Sequence, residues 1–380
     1  MELIEVCCAM ERHGVLIDLN YVVSGLDYET KKIEEAKKNF KEDTGLAYKD
    51  SNKFFADLFT SRGEEFPRTE KGNPSFTADT LELLDTPTAR LINKIRHHEK
   101  RAGTYWSSFL HHAGSDNVIH ANIRQAGTTT GRFSYSDPNL QNLPSEEDAA
   151  PEAYVIRGSF IPRPGTVYAS LDYQAIEYRA FLDIAGEHAL IDKVNQGHDL
   201  HQATADMMGV SRKEAKTLGF MLLYGGGIKK LAHALGIPES DAKQLKELYF
   251  GRLPKVKQLI SAIVSTAESR GYVFNFLGRR FWLGDFEYSY KMPNALIQGT
   301  CADVMKLAMT KIYHENLPGV CMLVTIHDEL GFEVEVDKQE QIQKLQKLME
   351  STYVPRNGLP MVVKAAVSSK SFAKRDLVDI

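Results

Sequence analysis

The ten residues LDYQAIEYRA at 171–180 follow the apolar run TVYAS at 166–170 and lead into a segment of helical character. The run reads as a strand over Thr166–Leu171 that carries Asp172 to its end, and Ile176–Leu190 reads as a helix with Glu177 in its first turn. An ionised carboxylate at the end of a buried strand is costly unless a metal, a cation or a set of hydrogen bonds compensates it. The junction therefore asks what compensates Asp172 and why a second acid follows so closely.

A counterpart lies far along the chain. Val320–Ile326 is a second apolar strand, it runs into His327-Asp328-Glu329-Leu330, and Gly331–Val336 follows as a third. The short turn makes these two an antiparallel hairpin. If the strands are neighbours in one sheet, Asp172 and Asp328 can share one or two divalent ions. Oxygen ligands suit magnesium, which keeps water and substrate phosphates in its shell. Two such ions would activate an attacking oxygen and stabilise a leaving one. Otherwise the aspartates mark two unrelated surface turns.

The segment SRKEAKTLGFMLLY at 211–224 adds an independent signal. Arg212, Lys216, Phe220 and Tyr224 are spaced by four and form one slanting stripe on a helix. Two cations followed by two aromatics match the phosphates and base of a nucleoside triphosphate. The competing reading places both rings in the core and lets the cations reach for solvent. Upstream, the polar stretch IHANIRQAGTTTGRFSYSDPNLQNLP at 119–144 contains Arg132, Gln141 and Asn142, side-chain types that probe groove acceptors and grip phosphates. Asn294 and Gln298 share a helix face, either to contact a nucleic-acid duplex or to bond internally.

Taken together, LDYQAIEYRA, RKEAKTLGFMLLYG and TIHDEL resemble the three catalytic motifs of family A DNA polymerases, in that family's order. TTTGRFSYSDPNLQNLP, GHDLHQATA, GYVFNFLGRR and NALIQGTCADVMKLAM resemble its connecting signatures, so the likeness spans nearly the whole chain. It implies an α+β right-hand fold: a helical thumb at 1–115, an antiparallel-sheet palm at 116–190 and 285–380, and helical fingers at 191–284. It further implies a DNA-directed DNA polymerase that uses two Mg2+ ions, with Mn2+ able to substitute. Asp172, Asp328 and the backbone carbonyl of Tyr173 would hold the metals, with Glu329 supporting them. Arg212, Lys216 and His201 would grip the triphosphate, Lys216 as general acid. Phe220 would pack on the incoming sugar and base, and Tyr224 would sit at the templating position. Glu177 would fill the space of a ribose 2′-hydroxyl and pair with Tyr224. Arg132, Gln141, Asn142, Asn294, Gln298 and His327 would contact primer–template DNA. Arg179 is expected in an internal salt bridge.

The sequence departs from the family in three places. Gln174 stands one position earlier than the usual amide, beside the metal aspartate and the nucleotide. Gly219-Phe220-Met221 replaces Asn-Phe-Gly, moving a helix-weakening glycine. The segment after GRR at 278–280 is short, and Tyr290 replaces an arginine one turn before Asn294, leaving Lys291 as the candidate substitute.

The bulk numbers agree with such a protein without demanding it. The chain has 380 residues, 43% hydrophobic and 25% charged, with a formal net charge of −4. That charge does not advertise nucleic-acid binding, yet a positive cleft on an acidic body attracts phosphates by local field. Four cysteines, Cys7, Cys8, Cys301 and Cys321, form neither a disulfide framework nor a zinc pattern. No apolar run spans a membrane and the N-terminus lacks a targeting pattern, so a cytoplasmic protein of a bacterium or of a phage-infected host is expected. The first 110 residues read as helical, with a helix from Pro87 to Leu110 through the basic patch HHEKRAG, either a clamp over a charged polymer or a solvated hairpin. No room remains for a proofreading domain, so no 3′–5′ exonuclease activity is expected. Expected partners are primer–template DNA, dNTPs and a separate exonuclease, helicase or primase, with the protein itself monomeric. A metal-dependent nuclease and an inactive primer–template binding protein are the alternatives; a nuclease would not need the Arg212–Tyr224 stripe.

Overall fold

The computed structural model describes residues 2–69, 71–144, 154–223 and 225–380. Its N-terminal part is helical, as expected. The long helix α1 (Leu19–Thr44) starts where the Asp18 carboxylate accepts the Tyr21 N–H at 3.0 Å, and ends at Gly45 in a left-handed turn. Val22, Gly25, Glu29, Ala36 and Phe40 make its buried stripe. The expected helix from Pro87 to Leu110 is continuous but not uniform. Helix α2 (Pro87–Lys100) passes into a π-helical stretch, Arg101–Ser107, and then into Ser108–His112. Part of the basic patch turns inward. His98 and Arg101 contact the buried Glu29 carboxylate at 2.6 and 2.5 Å. Burial alone would raise that carboxyl's pKa; these two bonds outweigh it and hold it low.

Apolar burial divides this region in two. Residues from Ala36 to Ile95, including Phe40, Phe55, Phe59 and Phe76, form a small core of their own. Val6, Met10, Val22, Trp106 and Phe109 belong instead to the main core.

The main core surrounds a five-stranded antiparallel sheet. Its strands are β1 (Thr166–Tyr173), β2 (Val320–Ile326), β3 (Glu329–Glu335), β4 (Val363–Ser368) and β5 (Val378–Asp379), in the order β5-β4-β1-β3-β2. Thus β1 is central and β3 is its neighbour, with Asp172 opposite Glu329. The first strand runs two residues further than expected, through Asp172 to Tyr173. The third begins at Glu329 rather than Gly331, so only His327 and Asp328 form the turn.

Strand alternation gives the sheet two chemically different faces. Val167, Ala169, Leu171 and Tyr173 lie on one, and the Tyr173 hydroxyl donates to the Met349 carbonyl of the helix Glu340–Glu350 at 2.6 Å. Tyr168, Ser170 and Asp172 lie on the other, beside Glu329, Gly331 and Glu333. Gly331 is needed there, because a Cβ would stand 2.7 Å from the Tyr168 hydroxyl.

The helix expected over Ile176–Leu190 is broken. It forms α3 (Ile176–Ala185), stops at the left-handed Gly186, and restarts at His188. The break is fixed by Asp183, fully buried near the end of α3, whose carboxylate accepts from the Tyr353 hydroxyl and from the N–H groups of Arg356, Asn357 and Leu359. Further along come α4 (Leu200–Met208), α5 (Arg212–Leu223) and α6 (Met292–Glu315). No helix among the described residues is long and apolar enough to cross a membrane.

Candidate active site

Asp172 sits at the second-last position of the central strand, and Asp328 in the two-residue turn beside it. The Tyr173 N–H donates to the Asp328 carbonyl at 3.1 Å, tying turn to strand. His327 takes a left-handed backbone, φ 55°, which a non-glycine residue adopts only when its surroundings impose it. Gln141 is one such constraint. Its amide, oriented to satisfy both ends, accepts the His327 N–H at 2.7 Å and donates to the Thr325 carbonyl at 2.9 Å. That residue is committed to shaping the turn.

Ala175, φ 51°, redirects the chain from β1 into α3 and places Glu177 in the first turn. The carboxylate is buried and pairs with Arg132, which the loop 128–132 brings in. Lys306 holds that loop by donating to the Gly131 carbonyl at 2.5 Å. The displaced Gln174 turns back: its Nε2 donates to an Asp172 carboxylate oxygen at 3.2 Å. Arg179 forms no salt bridge among the described residues; it donates to the carbonyls of Gln174 and Pro360 at 3.1 and 3.0 Å and so fixes the junction.

Burial and like charge raise both aspartates. Asp172 is pushed up to about 6, first by burial and then by Glu329; Asp328 reaches about 7, by burial and then Glu177, with Arg132 relieving part of it. Neither forms an ion pair among the described residues. Glu329 differs. Its oxygens accept from Arg157 at 2.8 Å, Tyr168 at 2.9 Å and Ser170 at 2.7 Å, which overcome the effect of burial and hold it ionised. Arg157 was not anticipated, although a lone arginine inside the apolar run AYVIRGSF is a legible signal.

Two half-buried carboxylates with no ion-pair partner among the described residues fit a divalent cation. Among the described residues no group of three or more metal-ligating side chains forms, but magnesium needs few protein ligands because water and phosphates complete its shell.

Helix α5 carries Arg212, Lys216 and Phe220 of the expected stripe. Arg212 pairs with Asp199 at 2.9 and 3.0 Å, and Lys216 is exposed. Asp199 was also missed; its partner lowers its carboxyl to about 2. Phe220 is half-buried, 6.1 Å from the ring of His201, which stacks on Tyr178 at 5.7 Å. The buried Nδ1 of His201 has no hydrogen-bond partner among the described residues, and burial lowers the imidazole pKa. Tyr224 lies outside the described residues, and with it the expected contact to Glu177.

Gly219 has a local explanation. A Cβ there would lie 3.3 Å from the Tyr178 ring, itself held by hydroxyl contacts to Thr204 and Tyr249 at 3.2 and 3.3 Å. Gly219→Ala is therefore expected to forgo the ~1 kcal/mol gain of an unhindered helix site. A thermal melt checks this, and a rise of several degrees would count against the contact.

The other expected DNA contacts are dispersed around the site. Asn294 and Gln298 are half-buried on one face of α6. Asn142 is exposed, and its carbonyl accepts from Tyr105 at 3.0 Å. Burial lowers the His327 imidazole, helped by Arg132 and Arg157. Lys291 pairs with Glu287 at 3.0 Å and lies 5.0 Å from the Tyr288 ring centre.

The model of DNA polymerase family A matches residues 24–373, and the chain belongs to that family. It is 36% identical over 311 residues to the thermostable DNA polymerase I of Thermus aquaticus, covering 75% of this chain and 37% of that one. It is 31% identical over 330 residues to the DNA polymerase of Mycobacterium phage L5, covering 86% and 54%. The chain thus spans little more than a third of the Thermus protein's length. The POL domain of Pol1 from M. smegmatis, solved with DNA primer–template and dNTP, superposes with a TM-score of 0.87 at 27% identity, covering 98% of this chain and 69% of that one.

Proposed function

We propose that this chain is a DNA-directed DNA polymerase unit that adds deoxynucleoside monophosphates from dNTPs to a primer 3′-hydroxyl and releases pyrophosphate. The observation that carries the reading is the pair of half-buried aspartates without ion-pair partners among the described residues, on adjacent elements of one sheet, in a chain of this family. Magnesium or manganese is general to the family; two ions held by Asp172, Asp328 and the Tyr173 carbonyl would supply the charge that acidifies the 3′-hydroxyl and stabilises the leaving phosphate.

The remaining roles belong to the chain itself. Gln174 orients the Asp172 carboxylate, and Glu329, fixed by Arg157, buttresses it. Arg212 exchanges Asp199 for phosphate, with His201 nearby, and Lys216 gives its proton to the leaving pyrophosphate. Phe220 packs on the incoming sugar and base. Glu177, braced by Arg132, occupies the space of a 2′-hydroxyl. Asn294, Gln298, His327, Asn142 and Lys291 face primer–template DNA, while Gln141 acts through the turn. On this reading residues 1–115 are the thumb, 116–190 and 285–380 the palm and 191–284 the fingers. The small core at 36–95 belongs to the thumb. A nuclease is disfavoured, because it has no use for the cation–aromatic stripe of α5.

Primer extension on a gapped template with magnesium and four dNTPs tests the proposal, and no extension by the wild-type chain would overturn it. Lys216→Ala is expected to lower kcat about 10²-fold or more with intact primer–template affinity, the usual loss for a general acid. An unchanged kcat would remove Lys216 from that role.

A further inference from the structure

Residues 271–291 carry two exposed groups of rings and cations that the roles above leave largely unused. Tyr272–Phe274 and Arg280–Trp282 form a two-stranded antiparallel ribbon, with Tyr272 opposite Trp282 and Phe274 opposite Arg280. Val273 and Phe281 face inward and are buried. Phe274 and Trp282 are 47% and 48% exposed. The Arg280 guanidinium lies 4.9 Å from the ring centre of Tyr272 and 5.1 Å from those of Phe274 and Trp282. It has no carboxylate partner among the described residues. Further on, Tyr288 and Tyr290 stack with centres 5.4 Å apart, each about half exposed.

The segment abuts the site at two points. Arg279, paired with Asp303, stands 3.2 Å from where a Cβ on Gly131 would lie, next to Arg132. Tyr290 stands 3.3 Å from the corresponding point on Gly225, just past the end of α5. Solvated aromatic faces beside an unpaired guanidinium are the elements that bind single-stranded nucleic acid: bases of any sequence stack on the rings while phosphates meet the cation. A protein partner would not call for a cation already seated among three rings.

We propose that this surface binds the unpaired template strand, with bases stacking on Tyr288–Tyr290 and on the ribbon rings and Arg280 meeting the backbone. The identity of the strand rests on the polymerase reading; the stacking surface itself does not. It also gives a role to Tyr290 where the family's arginine is missing, replacing charge by stacking.

The test is fluorescence anisotropy with labelled (dT)20 and with a primer–template bearing a twelve-nucleotide 5′ overhang, at two salt concentrations. The Tyr288→Ala/Tyr290→Ala variant is expected to bind (dT)20 about tenfold more weakly or worse. Tyr288→Phe/Tyr290→Phe is expected to bind as the wild type does, since the rings remain. Arg280→Ala should reduce the logarithmic salt slope by about one. Trp282→Ala provides a second stacking variant if the double alanine melts early. Wild-type affinity for (dT)20 in the alanine variants, or equal losses in the phenylalanine and alanine pairs, would overturn the proposal. Primer extension run in parallel separates the two readings. A wild type that extends while its alanine variants bind (dT)20 normally defeats the stacking surface alone. A wild type that does not extend defeats the polymerase reading, while weakened (dT)20 binding still supports the surface.

Discussion

Primer extension by Asp328→Ala is expected to fall by about three orders of magnitude or more, with primer–template affinity largely retained. Metal-held charge is worth several kcal/mol of transition-state stabilisation, and each ~1.4 kcal/mol is a factor of ten. The same carboxylate gives a second readout that needs no substrate. Asp172 and Asp328 are raised to about 6 and 7, so the folded protein holds protons that the unfolded chain has released. Their contribution to stability is full below about pH 4 and is lost progressively up to about pH 7. In chelator, the melting temperature of the wild type should therefore decline across this interval by more than that of Asp328→Ala. Magnesium should recover the loss above pH 7, because it binds the ionised pair in the folded state only. Equal pH slopes in wild type and variant, or extension within tenfold of wild type, would refute the assignment.

Glu177→Ala is expected to lose most of its preference for deoxynucleotides, with the dNTP-to-rNTP ratio of kcat/KM falling by about two orders of magnitude. The carboxylate is buried against Arg132, so its position is fixed before any nucleotide arrives. A fixed group excludes a hydroxyl far better than a mobile one, because the intruder must displace a desolvated ion pair. The variant also changes the neighbouring aspartate: Glu177 is the second cause of the raised Asp328 carboxyl. The acidic limb of the pH–rate profile should therefore move to lower pH in Glu177→Ala. Unchanged sugar discrimination in a variant that still extends dNTPs would remove Glu177 from this role.

Much of this arrangement is legible in the sequence, for a definite reason. Apolar runs ending in Asp172 and in His327-Asp328 are local signals, and the spacing of Arg212, Lys216 and Phe220 is a helical signal that needs no tertiary knowledge. What the pattern does not contain is pairing between distant side chains. The bonds of Glu329 to Arg157, Tyr168 and Ser170, the grip of Gln141 on the 327–328 turn, and the Arg212–Asp199 pair all join segments whose proximity only the folded chain creates. The helix after Asp172 ends sooner than its sequence pattern implies for a related reason. Its apolar periodicity continues past Gly186, and what stops it is the loop 353–359 bonded to Asp183.

The contact between Gly219 and Tyr178 has a mechanical meaning. Interlocked side chains fix the angle between two helices, since any rotation must lift knobs out of their holes. Here one surface is bare backbone and the other a flat ring pinned at its hydroxyl, so this point of the joint carries no knob, while Ala215, Leu218, Leu222 and Leu223 pack the rest of α5. A joint with one smooth point resists rotation less than one interlocked along its whole length, so the glycine that weakens α5 as a helix also loosens its seat on α3.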